Sequence, residues 1–295
     1  MRRIVVLVAS WFLLSCTVFA QSILPGFPPG LFVGRGAIDA TPIAGYTGPG
    51  DFATFTSWIG LRAYSAAYAA SQGPAIDITD AAVSGGNAAT INVTTAGGLD
   101  TTTLDAWIFA HGTAYIVKFY DQTGNGNHYT NVVGAPYSQS PVGAVMNGVA
   151  QRELANNALT ISQPFSVYSV AQSADTTNDT SGFWGSVFTD VRGSIRSTSL
   201  FGIYAGASFI TVSGAAANAF HALSAVYNGA SSVLNIDGGT NGSGDAGSNN
   251  VVGFRFARDG GGAFLTGYFR EGGNVSGATS LNTSISSNMK TYWGF

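Results

Sequence analysis

The chain reads as an all-β protein, a two-sheet antiparallel sandwich carrying a few short helices, and three observations predict it. Of its 295 residues 45% are hydrophobic and only 9% charged, with 40 Gly and 19 Phe, a composition that suits many short strands joined by glycine turns. Runs of β-branched and aromatic residues recur along the second half, separated by turn signals at Asn228-Gly229, Asp237-Gly238-Gly239 and Asn241-Gly242. No charge run or Pro/Ser-rich linker divides the chain, so residues 51–295 are expected to form a single sandwich domain.

Residues 1–20 have the parts of a secretory leader: Arg2-Arg3, an apolar run from Ile4 to Leu14, and small residues at Val18 and Ala20 before Gln21. Export to the periplasm, cell surface or medium is therefore expected. The single cysteine, Cys16, follows Leu13-Leu14-Ser15 in a way that also suits a lipoprotein cleavage box, so a lipid anchor at Cys16 is the alternative. The apolar run is too short for a stable membrane span. Residues 21–50 hold Pro25, Pro28, Pro29, Pro42 and Pro49 and read as an extended arm.

Asp51 to Ala70 places Phe55, Trp58, Ile59, Leu61, Tyr64 and Tyr68 among alanines at spacings of three and four, which predicts a helix. Ala75–Asp80 alternates as a half-buried strand, and a second strand follows over 89–95. Asp100 or Thr101 is placed to cap a short helix running through Ala110. Ala114–Tyr120 is dense enough in β-branched and aromatic residues to be a strand buried on most of its surface. It runs into the polar turn Asp121-Gln122-Thr123-Gly124-Asn125-Gly126-Asn127-His128, where Asn125-Gly126 tolerates positive φ and the flanking side chains can bond unpaired backbone. The oxygens of Asp121, Asn125 and Asn127 also suit calcium, although the turn alone accounts for these residues.

Residues 136–144 read as irregular, and 145–159 as short apolar pieces. Phe165–Val170 is a clean alternation, and further strands are expected over 182–188, 199–204, 208–212, 220–227, 232–236, 251–256 and 264–270. Leu281, Ile285, Met289 and Tyr292 share one face of a terminal helix over 280–292. Phe295 with Trp293 two before it also occurs at the end of outer-membrane barrels, but the uneven strand lengths and helical stretches do not give regular lipid-facing alternation.

Gly60-Leu61-Arg62-Ala63-Tyr64-Ser65-Ala66-Ala67-Tyr68, Gly73-Pro74-Ala75-Ile76, Gly98-Leu99-Asp100 and Tyr120-Asp121-Gln122-Thr123-Gly124-Asn125-Gly126-Asn127-His128 occur in the order seen in the catalytic domain of arabinofuranosidase B, which the chain resembles. The hallmark of that family is a Tyr-Asp-Gln-Ser/Thr-Gly-Asn-Gly-Asn block, which also occurs in concanavalin A-like or laminin-G-like domains of bacterial and phage surface proteins. The resemblance covers Trp58 to Asn131 closely and the remainder loosely. It implies a concanavalin A-like jelly roll, a fold that hosts both glycosidases and glycan-binding modules.

A glycosidase needs two suitably spaced carboxylates. Glu occurs only at Glu153 and Glu271. By the resemblance Asp259, in a Gly-rich loop before a strand, occupies the position of the general acid, and Glu271 follows it in a segment like the family's Phe-Tyr-Glu-Gly. The nucleophile is where the pattern departs: Phe183-Trp184-Gly185-Ser186-Val187-Phe188 has no Glu after it, and Asp190 is the nearest carboxylate. Losing a nucleophile costs orders of magnitude in rate. A glycan-binding or weakly catalytic sandwich is therefore the first expectation, and an arabinofuranosidase-type glycosidase the second. A structural or adhesive surface component is the third.

For a glycan site, aromatic faces and hydroxyl-binding polar groups point to Trp184, Tyr204, Arg255, Arg258, Asp259 and Arg270, with Arg255 and Arg258 setting two cations beside one carboxylate. Surface pairing of these arginines with Asp259 and Glu271 is the alternative. His111, His128 and His221 lack metal-binding spacing, so no metal or other cofactor is expected beyond the calcium alternative. Ten Arg and two Lys are scattered, net charge is −3, and nucleic acid is not an expected partner; a polysaccharide is.

Overall fold

The computed structural model describes residues 45–83, 85–148, 152–174, 181–197 and 199–295. The leader, Cys16 and most of the arm lie outside them. Seventeen strands and three α-helices follow in chain order: β1 Ser57–Gly60, α1 Ala66–Ser71, β2 Pro74–Thr79, β3 Ala88–Asn92, α2 Thr101–His111, β4 Tyr115–Phe119, β5 Tyr129–Gln139, β6 Val142–Asn147, β7 Leu154–Ile161, β8 Phe165–Ser173, β9 Gly182–Ser186, β10 Arg192–Ser197, β11 Leu200–Tyr204, β12 Ile210–Ser213, β13 Phe220–Tyr227, β14 Ser232–Ile236, β15 Gly242–Gly244, β16 Val251–Phe256, β17 Thr266–Ser276 and α3 Thr283–Trp293.

The strands form two antiparallel layers. In the first the order is β15-β14-β13-β8-β17, and the far edge of β17 pairs with β6 and β1 end to end. In the second it is β3-β2-β4-β5-β7-β16-β9-β10-β11-β12. β5 belongs to both, pairing β4 and β7 through its first half and β6 through its end. This is the expected jelly-roll-like sandwich.

Every residue of β8 is buried, because both of its faces are covered. Phe165, Val167 and Ala171 face the main core between the sheets. Tyr168 and Val170 face outward into a second cluster with Phe55, Trp58, Ala222, Ile285 and Met289, roofed by α3. The expected terminal helix is thus a lid on one sheet. Asn282 caps it by accepting from Ser284 N at 3.1 Å.

Asp51 to Ala70 is where the chain departs from the expected helix. Ser57–Gly60 is a strand, all four residues buried and paired with β17, and only Ala66–Ser71 is helical. A strand covered on both faces shows no alternation, so its apolar residues fell into an accidental helical spacing. Residues 136–144, expected to be irregular, are the end of β5, a two-residue turn at 140–141 and the start of β6, paired as a hairpin. Pro136 and Pro141 obscured it; Pro136 sits within a strand and Pro141 in the turn just before β6.

The turn after β4 is a hydrogen-bonding hub. Asp121 Oδ1 accepts Trp58 N, Thr123 N and Thr123 Oγ1, at 3.1, 3.1 and 2.8 Å, and Oδ2 accepts Asn127 N at 2.9 Å. Gln122 donates to the Gly60 and Arg62 carbonyls and accepts Tyr64 N. Asn125 and Asn127 donate to the carbonyl of Thr56. These side chains supply the β1 segment with partners that a sheet edge would otherwise leave missing.

Candidate functional site

The register of the second sheet lines up one row across five strands. Ala155 on β7 pairs with Arg255 on β16, Arg255 with Gly185 on β9, Gly185 with Arg192 on β10, and Arg192 with Tyr204 on β11. Laterally paired residues point to the same side of a sheet, so this row lies on one face. Phe254, Phe256, Trp184, Ile195 and Ile203 point the other way and are fully buried in the core.

Small residues admit a loop onto the face. A Cβ on Gly185 would lie 2.3 Å from Gly260 N, and one on Gly182 2.3 Å from Asp259 N, so only glycine lets the segment from Asp259 to Ala263 press down here. Asp259 is 1% exposed, and its Oδ1 accepts Gly261 N and Ala263 N, both at 2.9 Å. The general-acid candidate thus shapes its own loop. Arg255 Nη2 donates to the Asp259 carbonyl at 2.9 Å, tying that loop to the row.

Arg255 and Arg258 do set two cations beside one carboxylate, but that carboxylate is Glu153: Arg258 Nη1 lies 2.9 Å and Arg255 Nη1 3.3 Å from its Oε2. Burial, together with neighbouring Arg258, pulls the Arg255 pKa down. Asp190, nearest to the missing nucleophile, is gripped by Arg192 through Nε and Nη2 at 2.5 and 2.8 Å. That hydrogen bond heads the causes that raise the Arg192 pKa.

Tyr204 stacks on Phe209, with centroids 4.9 Å apart and planes inclined by 27°. The Arg192 guanidinium lies 5.4 Å from the Tyr204 ring, and that of Arg196 3.5 Å from Phe209. Arg192, Arg196 and Phe209 were not among the residues singled out from sequence. The alternation Arg192-Gly193-Ser194-Ile195-Arg196 was the available signal, and glycine at 193, where an apolar side chain would have marked the core face, hid it.

Three predicted residues are placed elsewhere. Trp184 has no exposed surface; its Nε1 donates to Tyr227 Oη at 2.9 Å inside the core. Glu271 is fully buried in the first sheet, holding Arg62 through two bonds of 2.6 and 2.9 Å and accepting Trp293 Nε1 at 2.8 Å. Arg270 is sandwiched 3.4 Å over Phe220 and 4.6 Å from Trp293, and burial lowers its pKa to about 10. The structure therefore brings Asp259, Arg255, Arg258, Asp190 and Tyr204 to one sheet, and sets Glu271 and Arg270 beneath the terminal helix. Among the described residues no three His, Cys, Asp or Glu side chains come together as a metal site.

Solved structures share this architecture. An arabinofuranosidase complexed with arabinofuranosyl-α-1,2-xylobiose superposes with a TM-score of 0.64 at 17% identity, over 82% of this chain and 64% of that one. The fold is similar to that of this arabinofuranosidase. A GH54 α-L-arabinofuranosidase soaked with a cyclic sulfate inhibitor gives 0.61 at 14% identity, again over 82% of this chain and 65% of the other. A mutant GH54 enzyme soaked with 4-nitrophenyl α-L-arabinofuranoside gives 0.62 at 16%. The chain spans about two thirds of the length of these enzymes, 64–65%. No family model matches the sequence, and no curated protein does.

Proposed function

We propose that the chain is a carbohydrate-binding sandwich with little or no hydrolytic activity, using the face around Tyr204, Arg192, Arg255, Arg258 and the Asp259 loop. The arabinofuranosidase fold supports the carbohydrate part of this reading. The observation that carries the non-catalytic part is the occupation of the carboxylates. Asp190 is held by Nε and Nη2 of Arg192, Glu271 by Nε and Nη2 of Arg62, and Oδ1 of Asp259 by two amides of its own loop. A nucleophile and a proton donor must instead face a substrate across an open gap of roughly 5–10 Å.

The runner-up is a glycosidase of the arabinofuranosidase type with Asp259 as its acid, favoured by the shared fold and the position of that loop. Incubation with 4-nitrophenyl α-L-arabinofuranoside separates the two. No nitrophenol release, together with calorimetric binding of cell-wall oligosaccharides that Tyr204→Ala weakens, is the expected result. Turnover abolished by Asp259→Asn would instead establish the enzyme.

A further inference from the structure

Resting on the reading of this face as a glycan site, we infer that Phe188 is the platform on which one sugar ring of the ligand stacks, and that this ring is a pyranose with equatorial hydroxyls. Phe188 follows β9 and is 66% exposed; its N–H donates at 3.0 Å to the carbonyl of Val252 on β16, itself 37% exposed. Both residues stand on the side of the sheet that carries Arg255. Val251, Phe254 and Phe256 enter the core on the other side, and the bulge at Gly253 lets Val252 and Arg255 both turn away from it.

The exposed ring is held in place. Gly253 has φ +68°, and a Cβ there would lie 3.2 Å from Phe188 Cδ2 and 2.8 Å from Val187 Cβ, so glycine leaves the space in which these two side chains lie. Val187 N donates to the Gly253 carbonyl at 2.8 Å. The buried Ser186 hydroxyl donates to the Val252 carbonyl at 2.9 Å and accepts Thr189 N at 3.2 Å, and Thr189 Oγ1 donates to the Asn250 carbonyl at 2.6 Å. With the backbone fixed on both sides of Phe188, little is left to order when a ligand arrives.

The size of the patch selects the occupant. Among the described residues the other exposed large apolar side chains are Phe52, Val83 and Phe109, which lie elsewhere in the fold. A stable protein interface takes roughly 800 Å² from each partner, far more than two side chains supply, whereas a single sugar ring matches them. Polar groups with bonds still to make rim the platform. Thr160 on β7, exposed and paired with Val252, has an uncommitted hydroxyl, and Asn250 spends Oδ1 on Gln163 N at 2.8 Å and keeps its Nδ2. The Asp190 carboxylate, two residues on and 40% exposed, takes one Arg192 bond on each oxygen and retains a lone pair on each. Sugar hydroxyls both donate and accept, and this rim answers both. An equatorially substituted pyranose carries C–H groups on its faces and hydroxyls around its edge, so its face meets Phe188 while its edge meets the rim.

The test is titration calorimetry of the full chain with xylohexaose, a chain of such pyranose rings, and with arabinohexaose, a chain of furanose rings. Xylohexaose is expected to bind, and Phe188→Ala to weaken it about tenfold, the loss that follows truncation of an aromatic anchor. Phe188→Trp should keep the affinity and give a larger fluorescence change on binding than wild type. Phe109→Ala, which removes the 95% exposed ring on α2, should leave binding unchanged, with circular dichroism confirming that all three variants fold. Xylohexaose binding that Tyr204→Ala weakens but Phe188→Ala does not, or that Phe109→Ala weakens as much as Phe188→Ala, overturns the inference and leaves the glycan site standing. Binding of arabinohexaose alone does the same, whereas no binding of either oligomer overturns the site as well.

Discussion

Glu271 shows how far one side chain's surroundings decide its work. Its carboxylate and the Arg62 guanidinium are both fully excluded from water and joined by two hydrogen bonds, and Arg62 also lies 4.4 Å over the Tyr292 ring. Burial is the largest single influence and opposes the charge on Arg62, but Glu271 together with Tyr46 and Tyr292 more than offsets it and the pKa is raised. Such a pair contributes little net stability against an apolar substitute, yet removing one partner strands a buried charge, at a cost of about 3–5 kcal/mol. Glu271→Gln should therefore lose about that much in urea unfolding, because the amide keeps one oxygen for Arg62 Nη2 and Trp293 but sets an NH2 donor against Arg62 Nε and leaves the buried guanidinium without a counter-charge. The double replacement Arg62→Met with Glu271→Leu should recover most of the loss. A single variant within about 1 kcal/mol of wild type would show that the pair is not isolated from solvent.

At the scale of elements, the turn from Tyr120 to His128 couples local chemistry to the sheet it feeds. His128 Nδ1 accepts Asp121 N at 3.0 Å, which requires that nitrogen to be unprotonated, and the ring packs 5.1 Å from Tyr120. Burial lowers the His128 pKa, aided by Lys118 and opposed by Asp121 and Asp77. The folded pKa lies below the unfolded value of about 6.5, so the unfolded chain binds the proton first. Stability from this group is present above pH ~6.5 and is lost as pH falls through the folded pKa. His128→Asn, whose Oδ1 can take the same N–H, should flatten the pH dependence of the unfolding midpoint between about pH 7 and 5. An unchanged slope would assign it to other groups.

This turn was legible because Asp, Asn and Gly carry their conformational meaning in their own side chains. So were β8, whose core-facing and lid-facing residues differ, and the Asp100 cap, which accepts Thr103 N at 3.1 Å as expected. What was hidden depended on distant partners. Trp184 and Arg192 lie on opposite faces of paired strands, and only the register separates them. Nothing local to Glu153 announces that Arg255 and Arg258, a hundred residues later, converge on it.

For the molecule as a whole, the terminal helix is the piece that one sheet cannot do without. Ile285 and Met289 of α3 cover Trp58, Tyr168, Val170 and Ala222. Four further ties hold the helix at both ends. Asn282 N donates to Tyr168 Oη at 2.9 Å, Lys290 Nζ to the Asp237 carbonyl at 2.9 Å and Trp293 Nε1 to Glu271, while Phe295 stacks on Phe220 at 6.4 Å. The face proposed to bind glycan belongs to the other sheet and takes part in none of these contacts. A chain ending at Gly277 would expose a contiguous aromatic and aliphatic patch of the kind that promotes association, and would remove the Trp293 Nε1 donor from Glu271 Oε1, leaving that oxygen to Arg62 alone. Truncation should therefore yield protein that binds anilinonaphthalene sulfonate and aggregates, while Ile285→Ser with Met289→Ser in the full chain should reproduce the dye binding and lower the thermal midpoint. If the truncated chain instead stays monomeric with an unchanged midpoint, the core between the two sheets suffices alone, and the lid must be present for something other than stability.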